Sequence, residues 1–77
     1  MNTLFDTPKA VRIVDSRIFV TMESEATFSF PSSAYERLSK ATSQQLVDIE
    51  LSPFGLHWPQ LDEDLAIGPL RREYEER

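Results

Sequence analysis

The stretch from Gly55 to Leu65 gathers most of the side chains that could do chemistry in this chain. It holds the only His, His57, beside the only Trp, Trp58, and a run of three acids, Asp62, Glu63 and Asp64. Three adjacent carboxylates could hold a hard cation. Calcium loops, however, take oxygen ligands from alternating positions and bend at a Gly, and this run has neither the length nor the Gly. It reads as a solvated or partner-facing acidic turn, with one carboxylate available to cap a local turn or to pair with Arg71 or Arg72. A lone His can serve as a general base, but that role needs a nucleophile within reach. The chain has no Cys, and no Ser near His57 lies in a recognisable nucleophile motif. His57 is therefore expected to be a structural or surface residue, and no catalytic, metal-binding or cofactor-binding residue is assigned. Trp58 is expected in the core with its indole N–H on a carbonyl; the competing reading is an interface anchor. Phe19, on the polar face of its strand, and Phe54, on a turn tip, are the aromatics expected at the surface. Asp62, Glu63, Asp64, His57 and Phe54 are thus the partner-binding candidates.

These side chains sit in a chain of 77 residues, enough for one domain with a modest core. With 13 acidic and 8 basic residues the net charge is −5. That balance argues against a general nucleic-acid binder, which concentrates basic residues on one face, and fits a basic protein partner. No apolar run approaches the roughly 20 residues of a membrane span. Met1 to Asp6 lacks a basic segment followed by an apolar one, so no secretory signal is expected and the cytoplasm is the expected location.

Periodicity indicates the strands and helices around the acidic stretch. Residues 1–9 read as an arm in which Leu4 and Phe5 form an apolar pair. Ala10–Asp15 is rich in β-branched residues, and Asp15-Ser16 supplies turn chemistry. In Arg17–Glu23, Ile18, Val20 and Met22 alternate with polar neighbours; in Ala26–Phe30, Ala26, Phe28 and Phe30 share a face. These three strands make an antiparallel meander. Ser33 and Glu36 fit a capping box opening a main helix over Ala34–Ala41, and Thr42 with Gln45 fits a second. Val47–Ser52 alternates, with Val47, Ile49 and Leu51 expected inward and Asp48 and Glu50 outward. Pro53-Phe54-Gly55 is a turn in which Gly55 is free to take positive φ. Leu56–Trp58 returns as a short strand, ended or held at an edge by Pro59; an exposed edge there makes a homodimer possible. Leu61–Leu65 is expected to be a turn. Gly68-Pro69 opens a short C-terminal helix with Arg71–Glu75 and Arg72–Glu76 pairs.

Four segments together resemble a known family: Phe28-Ser29-Phe30-Pro31; a helix with Leu38 and Ala41; Gln45-Leu46-Val47-Asp48-Ile49-Glu50-Leu51-Ser52-Pro53; and Gly55-Leu56-His57-Trp58-Pro59-Gln60-Leu61-Asp62-Glu63-Asp64-Leu65. They resemble the bacterial domain-of-unknown-function family numbered 2442 over about residues 10–71. The resemblance implies a small α+β fold similar to the N-terminal domain of a Nitrosomonas two-domain protein whose second domain binds DNA. It also implies a partner: genes of a second uncharacterised family, numbered 4160, often lie beside family members, and the pair is proposed as a toxin–antitoxin module in which this chain resembles the antitoxin side. It supplies no catalytic residues.

The expected fold is α+β: a small antiparallel sheet, made of a three-stranded meander plus a hairpin, with one main helix and a short C-terminal helix. Residues 10–71 form the domain, residues 1–9 an arm and residues 72–77 a helical end or tail. Its core is expected to contain Val11, Ile13, Ile18, Val20, Phe28, Leu38, Ile49, Leu51, Trp58, Leu61 and Leu65. The expected function is a non-catalytic, antitoxin-like interaction module that binds a small basic protein, such as a neighbouring-gene toxin, through its acidic C-terminal third. A regulatory domain associated with a DNA-binding partner, or an acidic inhibitor that mimics nucleic acid, is the alternative. No direct contact with nucleic acid or membrane is expected.

Overall fold

A computed structural model describes residues 6–75, so the readings placed on Leu4, Phe5 and Glu76 lie outside the described residues. The first three strands are β1 (Pro8–Val14), β2 (Arg17–Met22) and β3 (Thr27–Pro31), paired antiparallel in that order. β1 starts at Pro8, two residues before the alternation in the sequence suggests. Asp15 and Ser16 both take positive φ, 50° and 64°, the mirror-image turn whose twist matches the right-handed twist of the strands it joins. One face of this sheet carries Ile18, Val20, Met22, Phe28 and Phe30, all buried. The other carries Arg12, Phe19 and Ser29 in one cross-strand row.

The expected helix over Ala34–Ala41 is broken. Ser32–Ala34 form a 3₁₀ turn, Tyr35 is extended at φ −128° and ψ 127°, and only α1 (Glu36–Ser39) is helical. The Ser33–Glu36 capping box does not form, because the extended residue before α1 is Tyr35, which supplies no side-chain cap. At Tyr35 the aromatic contact wins over helix continuity: its ring stands edge-on to Phe30, centroids 5.7 Å apart. The Thr42–Gln45 box does form. Gln45 N–H donates to Thr42 Oγ1 at 3.1 Å, and Thr42 N–H to Gln45 Oε1 at 2.9 Å. It opens α2 (Ser43–Val47), which sends Leu46 into the core and leaves Val47 59% exposed.

That helix shortens the next strand. β4 spans only Glu50–Ser52, so Val47 does not face inward as the alternation suggests, and Leu51 is 38% exposed. β5 (Gly55–Trp58) follows, and β6 (Glu63–Ala66) forms where an acidic turn is expected from the sequence. β4, β5 and β6 make a second antiparallel sheet in chain order. β5 is therefore its central strand, not an edge. Pairing of two copies through Leu56–Trp58 loses its basis, since both sides of that strand are already hydrogen-bonded. α3 (Ile67–Tyr74) starts two residues before the expected position, which places Pro69 in its first turn, where a missing N–H costs nothing.

The α+β class holds, with two three-stranded sheets in place of one sheet and a hairpin. The core joins Ile18, Val20, Met22, Phe28 and Phe30 to Leu38, Leu46, Leu56, Trp58, Ile67 and Leu70; Val11, Ile13, Ile49, Leu61 and Leu65 pack against it half-buried. No buried side-chain polar atom among the described residues lacks a partner, as native interiors require. No helix among them is long and apolar enough to cross a membrane.

Candidate partner-binding face

The outward face of the second sheet is built by register. In β5, Leu56 and Trp58 point into the core, so His57 points out. Glu50 lies opposite His57 on one side and Asp64 on the other. The result is a carboxylate–imidazole–carboxylate row across three strands. His57 Nδ1 lies 2.7 Å from Asp64 Oδ1. With the proton on Nδ1 the imidazole donates to Asp64 and presents Nε2 to solvent.

Phe54 stands at the end of this face, 74% exposed on the β4–β5 turn. The turn is held by Ser52, whose Oγ accepts from the N–H groups of Phe54 at 3.2 Å and Gly55 at 3.1 Å. Its far side is tied to α3, since Ile67 N–H donates to the Phe54 carbonyl at 2.8 Å. A cavity of about 290 Å³ opens between Phe54, His57, Asp64 and Ala66.

Gly55 matters here through space rather than through φ. No Gly among the described residues has positive φ, so the freedom expected for the turn is not used. Instead, a Cβ at Gly55 would run into the carbonyl of Leu65 on β6. The bare Cα lets β6 approach and so sets Asp64 beside His57.

The acidic run is divided by this geometry. Asp64 joins His57 and Phe54 around one cavity. Asp62 takes positive φ, 52°, a conformation Asp tolerates, and its carbonyl accepts from Arg37 Nη1 at 2.6 Å. Glu63 points to the other face, with Oε1 3.9 Å from Arg37 Nη1. Arg37 of α1, rather than the expected Arg71, is the cation beside Asp62 and Glu63. Arg71 instead lies between Glu75, the expected pair, and Asp6 at 3.1 Å. Glu50 was legible only as an outward position of its strand; its place beside His57 depends on the register. No cluster of three or more His, Cys, Asp or Glu side chains suited to a metal occurs among the described residues.

A His held by a carboxylate is the orienting half of a general-base arrangement. Here no described hydroxyl donates to His57, and the Ser52 hydroxyl that shares its cavity is engaged in the turn. The face presents two carboxylates, an imidazole and an exposed aromatic ring on one sheet.

Two small antiparallel three-stranded sheets with a few short helices make this a small α+β fold. More particularly, the chain belongs to the family described as protein of unknown function (DUF2442), whose model matches residues 8–76. It is similar in structure to a protein of unknown function from Rhodospirillum rubrum, with a TM-score of 0.80 and 28% sequence identity over 95% of this chain and 93% of that one. No curated protein matches the chain.

Proposed function

We propose that this chain is a non-catalytic, antitoxin-like interaction module that acts in the cytoplasm and docks a small basic protein on the outer face of its second sheet. The observation that carries the reading is the Glu50–His57–Asp64 row beside the exposed Phe54 ring. A partner Lys or Arg would enter the cavity lined by Phe54, His57 and Asp64 with its charge within reach of the Asp64 carboxylate. Aromatic residues and Arg are the usual anchors of such interfaces. The His57 hydrogen bond holds the Asp64 carboxylate in place before the partner arrives, which reduces the entropy lost on docking. The net charge of −5 steers a basic partner toward the chain.

The test is affinity capture from the native host with two baits, the wild-type chain and the Glu50→Lys/Asp64→Lys variant, each at low and high salt. A small basic protein recovered in near-equal amount by the wild type, and lost both with the variant and at high salt, is the expected result. Recovery that neither the substitutions nor the salt alters would refute this face as the docking site. Recovery of the bait alone would remove the reading.

A further inference from the structure

The outer face of the first sheet has the opposite character. Its central row is Arg12–Phe19–Ser29, with Ala10, Thr21 and Thr27 in the next row. The Arg12 guanidinium lies over the Phe19 ring, 5.3 Å from its centroid. Arg17 reaches the same row from the other side: its Nε donates to Ser29 Oγ at 3.0 Å and its Nη2 to the Ser29 carbonyl at 3.4 Å. No strand position on this face is an acid. Lys9, Arg37, Lys40 and Arg71 each have a carboxylate within 4.0 Å, whereas Arg12 and Arg17 have none among the described residues. In a chain of net charge −5, two guanidinium groups with no carboxylate partner among the described residues therefore share one sheet face, Arg12 over the Phe19 ring and Arg17 at Ser29.

The complementary surface is the acid row of the second sheet, where Phe54 is also exposed. We infer that the outer face of the first sheet docks the outer face of the second sheet of another copy of this chain, with Arg12 and Arg17 meeting Glu50 and Asp64. The guanidinium fork matches a carboxylate in shape as well as charge. The two patches are different, so the contact is head-to-tail. Each copy added leaves one face of each kind open, and assembly continues past a dimer unless it closes into a ring. Charge attraction between exposed groups is screened by salt, so the assembly is weak and salt-sensitive. A long polyanion is a poorer occupant, because two cations release few counterions. The self-contact covers the face assigned above to the basic partner, so that partner would compete with assembly.

Sedimentation of the purified full chain tests the inference without any partner, so its outcome is separate from that of the partner reading. Measurements run from about 10 μM to about 1 mM chain, at about 50 mM and about 500 mM salt. The wild type is expected to rise in mean mass with concentration, beyond a dimer, and to return to monomer at high salt. Arg12→Glu/Arg17→Glu and Glu50→Arg/Asp64→Arg should each lower the association constant by at least about tenfold. An equimolar mixture of the two variants should associate again, because each reversed face meets its opposite. Circular dichroism confirms that both variants fold. A wild type that stays monomeric throughout, or association that the Arg substitutions leave unchanged, overturns the inference. So does a monomer whose Arg12 and Arg17 bind a labelled dT oligonucleotide, which would reassign the face to single-stranded nucleic acid.

Discussion

Trp58 Nε1–H donates to the carbonyl of Leu46 at 3.0 Å, with the Trp58 side chain fully buried. One bond thereby joins the central strand of the second sheet to the last turn of α2, where helix carbonyls have no partner of their own. Trp58→Ala should destabilise the chain by about 3–5 kcal/mol through lost burial and a cavity. Trp58→Phe keeps an apolar ring and loses the donor, and should cost less, about 1–3 kcal/mol. Denaturant midpoints of the two variants check this; an unchanged midpoint for Trp58→Ala would rule out a core role.

Gly55→Ala should destabilise by about 1–3 kcal/mol, because the new methyl must displace the β6 backbone at Leu65 rather than a flexible side chain. The same displacement separates Asp64 from His57. A chemical-shift comparison should find the largest changes along Glu63–Ala66.

Ser16→Gly should stabilise by about 0.5–1 kcal/mol. Ser16 holds φ at 64°, a conformation that strains a residue with a Cβ but not Gly. Asp15→Asn beside it gives the Asn-Gly pair that this hairpin turn favours. For a domain of this size the gain corresponds to a rise in Tm of about 2–8 °C, read by calorimetry.

Stability should fall off at both pH extremes. Asp6 accepts hydrogen bonds from the Ser24 hydroxyl and from its N–H at 3.0 Å, and those bonds, with Arg71, hold its carboxyl below the ordinary 3.8. Hydrogen bonds from Arg71 likewise hold Glu75 below 4.5. Both values are depressed by folding, so this stabilisation is present above the ordinary values and is lost as pH falls through the folded ones. Solvent screening keeps it small. At the other end, burial and the neighbouring Tyr74 hydroxyl push Tyr35 up to about 12. A raised value means stability that is complete below the ordinary 10.0 and lost as pH rises through about 12. Asp6→Asn with Glu75→Gln should flatten the acid limb and Tyr35→Phe the alkaline limb of a stability–pH profile; limbs that persist unchanged would place the titration elsewhere.

Much of this fold was legible in the residues. Alternation of Ile18, Val20 and Met22 located β2, Asp15-Ser16 located its turn, and the Thr42–Gln45 spacing located α2. Two elements misled, for reasons of context. Glu63-Asp64 has low intrinsic preference for strand, yet β6 forms because β5 offers it a full ladder and Gly55 lets it come close. Ala34–Ala41 has helical spacing, yet Tyr35 goes extended to reach Phe30.

For the candidate site the division is sharper. The sequence by itself determined which side chains were available: one His, an acidic run, an exposed turn aromatic and an acidic net charge. It also determined that His57 and Trp58 point to opposite faces, since a strand alternates with period two. Which acids stand beside His57 follows from strand pairing instead. Asp62, Glu63 and Asp64 are neighbours in the chain, but a left-handed residue and a change of face separate them, leaving Asp64 with His57, Glu63 on the opposite face near Arg37, and Asp62 meeting Arg37 through its backbone carbonyl. Glu50, distant from Asp64 in the chain, completes the row instead. Cross-strand register is set by pairing over the whole sheet, and a slip of one residue would send every one of these side chains to the other face.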